Sequence, residues 1–392
     1  MIIDNAKQLE SRLIEFRRAF HMYPELGFQE IETGKKICAI LKDANISFET
    51  GFAKTGIVAT IGSGKPTVAL RADMDALPVA EANEVDYKSK NNGKMHACGH
   101  DAHMACLLGA AILLKKEFSD NNINGTVKLV FQPCEESKDA NRQSGSMLMV
   151  EEGVFNDVDA VIALHVESTM TNGALFIRPG AMTAAVDRID GKVLGKGGHG
   201  AYPHQAIDPI WLSSNVLNTI YGILPRCIDA TQPAVISICT IHAGSTWNVI
   251  PEFVELSGTV RTFDEEVRQK IHKEIEQAFQ IAKVMGGDYE LLIDRGHPSV
   301  INAPNLVAKV EEVATHVLGS ENVKLVGLQM GAEDFSHITR IKPSAYFYLG
   351  AKKDNINRPH HSSNFDIDES VLYKGAALLT EIATELLCQE SK

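Results

Sequence analysis

No stretch of this chain approaches the ~20 consecutive apolar residues that span a bilayer, so a helical membrane protein is excluded. Positive charge is also scarce: 38 Lys and Arg stand against 50 Asp and Glu, for a formal net charge of −12. Such a chain repels phosphate backbones, which removes nucleic acid as a partner. Internal repeats and low-complexity tracts are missing too. Residues 1–13 carry acids and lack an apolar signal core, so no export signal is expected. The seven cysteines, Cys38, Cys98, Cys106, Cys134, Cys227, Cys239 and Cys388, are scattered and odd in number. That pattern argues against a disulfide framework and for a reducing cytoplasm.

What remains is a globular chain, with 44% hydrophobic and 22% charged residues in ordinary proportion. At 392 residues it is too long for one ordinary core and predicts two domains. Continuous apolar runs over 67–72, 126–131, 159–166 and 345–349 predict strands buried on both faces of a sheet. Between them, Met104, Leu107, Leu108, Ala111 and Ile112 recur at helical spacing and predict a helix over 101–116. Further helices are expected over 306–318 and 370–387. The middle of the chain differs. Strands over 189–194, 235–241, 253–262 and 289–293 alternate with helices opened by Asp208-Pro209 and by Asp264, each Asp acting as a cap. The order β-α-β-β-α-β is the split-βαβ pattern. The expected architecture is therefore an α/β domain, residues 1–184 and 298–392, interrupted by a ferredoxin-like α+β domain over 185–297.

Chemistry-bearing residues fall at the ends of the outer domain's strands. Asp73 and Asp75 follow the first run, and His96-Ala97-Cys98-Gly99-His100-Asp101 leads into the helix. Gln132-Pro133-Cys134-Glu135-Glu136 follows the 126–131 run. His165 ends the next strand, and Pro359-His360-His361-Ser362 follows the last. In α/β sheets ligands gather at the carboxyl ends of strands. Thiolate, imidazole and carboxylate groups together suit divalent cations. The adjacent pair Glu135-Glu136 leaves a strand with its side chains pointing in different directions. One carboxylate can hold a metal while the other faces a water as general base. By spacing alone, Cys98 could equally be a small buried hydrophobe, His165 a satisfied core histidine, and Glu135-Glu136 a solvated helix start.

Five segments together resemble the co-catalytic metallo-amidohydrolases. They are Leu70-Arg71-Ala72-Asp73-Met74-Asp75-Ala76-Leu77-Pro78, Met95 to Asp101, Gln132 to Glu136, Gly198-His199-Gly200-Ala201-Tyr202-Pro203-His204, and Gly331-Ala332-Glu333-Asp334-Phe335. That group includes hippurate hydrolase, the indole-acetyl-amino-acid hydrolases and N-acetyl-diaminopimelate deacetylase. It is related to aminoacylase and to the glutamate-releasing carboxypeptidases. The resemblance implies a two-metal exopeptidase-like catalytic domain with an inserted lid. It implies Cys98, His100, Glu136, His165 and His361 as ligands of two divalent ions per chain, with His361 preferred to His360 because it directly precedes Ser362. It further implies Glu135 as general base, Asp75 as the carboxylate that orients a ligand, and a homodimer built through the inserted domain. His199 becomes a transition-state ligand reaching into the partner subunit's site. Asn248 and Arg261 become a grip on the substrate carboxylate, a planar task that suits arginine. Cys134 departs from the usual Ala or Gly and places a thiol close to the expected metals. His21, Pro24 and Glu25 match the family's opening pattern without visible chemistry.

The expected function is metal-dependent hydrolysis of the amide bond of N-acyl amino acids, with zinc, manganese, cobalt or nickel compatible with the mixed donors. Rival readings are an aminopeptidase or dipeptidase, a thiol hydrolase using Cys98, and a metal-stabilised protein that binds acyl-amino acids without turnover.

Overall fold

A computed structural model of the chain describes residues 2–121 and 123–389. It divides into two compact units. The first comprises the chain up to Gly180, Ile301–Gly327, and the chain from Asp334 onward. The second comprises Ala181–Val300 and Leu328–Glu333.

The first unit is built on an eight-stranded sheet. Its order is Ser47–Phe52, Gly56–Ser63, Gly125–Gln132, Thr67–Asp73, Ala160–Glu167, Ser344–Gly350, Leu175–Ile177 and Val323–Leu325. The four central strands, from Gly125–Gln132 to Ser344–Gly350, run parallel. Every residue of Thr67–Asp73 and of Ser344–Gly350 is buried, which accounts for their mostly apolar character; Arg71 and Asp73, the charged exceptions, pair with each other. Because the four strands share a direction, their carboxyl ends open on one edge of the sheet.

The helix His100–Asp120 packs against Leu372–Gln389, Glu10–His21 and the sheet. The sequence predicted a one-sided apolar stripe here. Instead the helix is buried on nearly every side through Leu114, while Ile112 is only half-buried. Small residues permit this. A Cβ added at Gly109 would lie 2.8 Å from both Ala376 Cβ and Leu13 Cδ2. Glycine costs about 1 kcal/mol relative to alanine inside a helix, and close approach of two neighbouring helices offsets it. The closing helix begins at Leu372, after a short 3₁₀ turn over Glu369–Val371.

The second unit is an antiparallel four-stranded sheet in the order Ala234–Ala243, Phe253–Thr262, Ala185–Leu194, Asp288–Arg295. The helices Pro209–Cys227 and Glu265–Val284 cover one face over a separate core that includes Ile189, Val193, Leu256, Ile220, Ile275 and Phe279. A fully buried side chain of this size contributes roughly 2 kcal/mol. Both helices start as their sequences specify. Asp208 accepts hydrogen bonds from the N–H groups of Ile210 and Trp211, and Asp264 from those of Glu266 and Val267. A short ladder pairs Gly198–His199 with Val249–Ile250.

Among the described residues, no helix is long and apolar enough to cross a membrane.

Candidate metal centre

The carboxyl edge of the parallel strands gathers Asp73, Asp75, Cys98, His100, Glu135, Glu136, His165 and His361. Cys98 and His100 flank Gly99, whose φ is +93°. A Cβ there would stand 2.4 Å from Val166 Cγ2, so only glycine fits between the two donors. His100 then opens the long helix.

Asp75 organises the site through three atoms. Its carboxylate oxygens each accept a peptide N–H, Oδ1 from Glu135 and Oδ2 from Glu136, both at 3.0 Å. Its carbonyl lies 2.8 Å from His100 Nδ1. That bond needs a proton on Nδ1, so Nε2 is the nitrogen that can give its lone pair to a cation. His100 Nε2 is buried and, among the described residues, has no hydrogen-bond partner. It stands 3.8 Å from the buried Glu136 Oε1, which faces the His361 ring. A buried, orphaned imidazole nitrogen beside a carboxylate is what a bound cation would satisfy.

His165 is prepared in the same way. Its Nδ1 donates to the Val166 carbonyl at 2.7 Å, and its Nε2 faces Cys98 Sγ at 3.4 Å. Burial, with His103 and His360 nearby, holds its pKa well below the usual range, so the ring stays neutral. His361 Nε2 lies 3.2 Å from Glu136 Oε1. The donor atoms of Cys98, Glu136 and His361 form one cluster, and those of Cys98, His165 and His360 form another. Cys98 belongs to both. His100, Glu135 and Glu136 form a third.

The electrostatics also call for a cation. Burial pushes the Cys98 thiol well above its ordinary range, and the Glu136, Glu135 and Asp73 carboxylates add to this. Burial alone would lower the His100 pKa, but Asp73 and Asp75 outweigh it and push it up to about 10. The carboxylates thus favour positive charge here, which a divalent ion supplies while stabilising the thiolate. The residues present fit such an ion.

Several participants are not evident from the sequence. Asp73 accepts from His103 Nδ1 at 2.6 Å and from Arg71 at 2.7 Å. His103 Nε2 accepts the Val166 N–H at 2.9 Å. Both nitrogens of His103 are therefore committed, which makes it a scaffold group although it lies close to His100 and His165. Glu30, fully buried, accepts the Cys134 N–H at 2.9 Å and the Thr55 hydroxyl at 2.7 Å. Burial, reinforced by Asp75, pushes its carboxyl up to about 7. Two non-glycine residues in this region adopt positive φ, Cys134 at +48° and His361 at +63°. Such strain persists only where neighbours over-determine it. His361 N–H is tied to the Ala97 carbonyl at 2.8 Å, next to Cys98. The Cys134 thiol is engaged by the Ser137 carbonyl at 3.3 Å and hydroxyl at 3.2 Å. Burial pushes it up to about 12, so it remains a protonated spectator.

Further out, Arg17 is completely buried between Asp101 and Asp366, at 3.0 and 2.9 Å. His21 bridges Asp101 and Glu81. These groups hold the start of the helix that carries His100.

In the second unit His199 is exposed, and its Nδ1 accepts the Ala201 N–H at 3.0 Å. Its proton therefore resides on Nε2, which becomes an outward-facing donor. Asn248 adjoins it, its carbonyl accepting the Gly200 N–H at 2.9 Å. Arg261 is half-buried on the strand Phe253–Thr262, with its NH1 group 3.5 Å from the Met330 carbonyl.

Parallel strands that deliver sulfur, nitrogen and oxygen donors to one edge define a metal-dependent hydrolase. The chain belongs to peptidase family M20/M25/M40, which matches residues 69–385. It is 40% identical over 380 residues to thermostable carboxypeptidase 1 of Saccharolobus solfataricus, covering 95% of each chain. It is 36% identical over 389 residues to N-acetyl-L-cysteine deacetylase of Bacillus subtilis, covering 98% of this chain and 90% of that one. The solved Bacillus subtilis YxeP protein, a dinuclear metal binding peptidase of the M20 family, superposes with a TM-score of 0.83 at 32% identity. That match covers 97% of this chain and 99% of the other. The chain is accordingly a hydrolase of amide bonds that uses divalent metal ions.

Proposed function

We propose that this enzyme hydrolyses the amide bond of N-acyl amino acids with two divalent ions per chain. Their ligands are Cys98, His100, Glu136, His165 and His361, and the general base is Glu135. The observation that carries this reading is the grip of Asp75 on two consecutive peptides, from which the adjacent carboxylates, both beside His100, make different further contacts. Glu136 faces His361 and His100. Glu135 instead accepts the backbone N–H of Asp334 at 3.3 Å.

When bound, the ions supply a polarised scissile carbonyl and a water acidified toward neutrality. Glu135 takes the proton as the water attacks and then delivers it to the departing amine. The Nε2–H of His199 donates to the oxyanion. Asn248 and Arg261 hold the substrate carboxylate. The donor set admits zinc, manganese, cobalt or nickel.

The active species in this reading is a homodimer formed through the inserted unit, with His199 serving the partner's site. Two features support that interface. Strand Ala234–Ala243 lies at the edge of its sheet. Ile241 on that strand and Ile210, Trp211 and Tyr221 on the neighbouring helix are each half or more exposed. All seven cysteines are free thiols, in keeping with a cytoplasmic setting.

A peptide whose amino terminus is acylated is itself an N-acyl amino acid, so the carboxypeptidase name of one relative fits the same chemistry. Aminopeptidase and dipeptidase activity are separated from it by substrate. The test is release of free amino acid from N-acetyl, N-benzoyl and N-indoleacetyl amino acids, alongside dipeptides with free amino termini, with each metal supplied in turn. Turnover of acylated substrates that chelation abolishes is expected. Turnover confined to free-amine substrates contradicts the reading, and chelator-resistant turnover points to thiol chemistry.

A further inference from the structure

The segment Gly331–Phe335 takes part in the family resemblance, but no role follows from its sequence. Its Asp334 is fully buried in the first unit, and its carboxylate accepts from three elements of that unit. Arg71 donates to Oδ1 at 3.0 Å. Gln132 Nε2 lies 2.8 Å from Oδ1 and 3.0 Å from Oδ2. The Ser146 N–H donates to Oδ2 at 3.1 Å. The main chain of Asp334 is held as well, because the Ser146 hydroxyl donates to its carbonyl at 2.7 Å. With the side chain and carbonyl both fixed, the remaining polar group is the backbone N–H, and it points at Glu135 Oε1 at 3.3 Å.

Arg71 extends the network in the other direction. Its second nitrogen pairs with Asp73, which holds His103. One buried guanidinium thus ties the segment behind Glu135 to the scaffold beside His100 and His165.

We propose that Asp334 is a positioning residue for the general base. Its carboxylate, held by Arg71, Gln132 and Ser146, aims its own N–H at Glu135 and so sets the direction from which that carboxylate meets the attacking water. The inference rests on Glu135 being the base. A misplacement of a catalytic group by about 1 Å can cost about 10²-fold in rate.

The test is a double-mutant cycle on an N-acetyl amino acid, with elemental analysis of every variant. Asp334→Ala should lower kcat by about 10- to 10²-fold while KM and metal content stay near those of the unsubstituted enzyme. Asp334→Asn keeps an oxygen for Gln132 and Ser146 and should retain intermediate activity. In a Glu135→Gln background, Asp334→Ala should change the residual rate by less than about 2-fold, because the group it positions no longer acts. Should Asp334→Ala fail to fold, Asp334→Asn and Ser146→Ala carry the same cycle. A full multiplicative loss in the Glu135→Gln background, or loss of metal from the Asp334 variants, overturns the proposal and leaves the assignment of Glu135 standing. Full activity in Glu135→Gln alone overturns both.

Discussion

The two units prepare their candidate functional groups in opposite ways. In the first unit, His100, His165 and Asp75 are buried, and neighbouring backbone fixes the tautomer of each imidazole. In the second, His199 on a short ladder and Asn248 just before its partner strand are exposed and held by their own turn. A buried donor with a set tautomer can bind a cation without reorganising, and the fold supplies the cost of holding it there. An exposed donor is aimed but not enclosed, and it acquires low-dielectric surroundings only when another surface meets it. In the proposed reading, the difference separates residues that create the site from residues that complete it.

Breaking the exposed side should have the largest effect on rate and none on metal. His199→Ala should lose about 10²- to 10³-fold in kcat, the usual scale for removing one oxyanion donor, while remaining folded and metal-loaded. Mixing it with Glu135→Gln under verified subunit exchange sharpens the comparison. If His199 serves the partner's site, a mixed dimer contains one site with both lesions and one with neither, and activity returns. A mixture that stays inactive means His199 serves its own chain.

Breaking the buried side should instead appear as lost stability. Arg17→Met leaves Asp101 and Asp366 in the interior without their shared guanidinium. Removing one partner of a buried pair typically costs about 3–5 kcal/mol, and the loss should register as a lower denaturant midpoint. A change below about 1 kcal/mol would show that the network is not what holds the start of the His100 helix. The smallest effect is expected in the second unit. Asp208→Ala removes a helix cap that bonds two N–H groups and should cost about 1 kcal/mol by the same measurement, with turnover unchanged.

Much of the fold was legible because the strongest patterns are local. The strand Phe253–Thr262 has the expected bounds, and the helix Glu265–Val284 begins where the Asp264 cap places it. The buried parallel strands announce themselves as apolar runs followed by polar clusters. The helix Glu10–His21 gives a weaker signal, since Arg17 occupies a core position between Leu13 and Phe20 and breaks the apolar stripe. In the site, donor types at strand ends pointed to metal chemistry, whereas the choice of His165 and His361 required the family resemblance. Arg71, His103 and Asp334 remained hidden. A charged residue inside a fully buried strand signals that a partner exists, and His103 lies one helical turn beyond His100. Yet Arg71 meets Asp334 across 263 residues of sequence, and no local pattern encodes that pairing.

The central claim is that Glu135 and Glu136, adjacent in sequence and held by one aspartate, do different work. Elemental analysis and turnover of Glu135→Gln and Glu136→Gln, measured side by side, test it most directly. The account predicts that Glu135→Gln keeps its metal and loses about 10²-fold or more in kcat. It predicts that Glu136→Gln loses metal, and turnover with it. Equal metal loss in the two variants, or full turnover in Glu135→Gln, would contradict it.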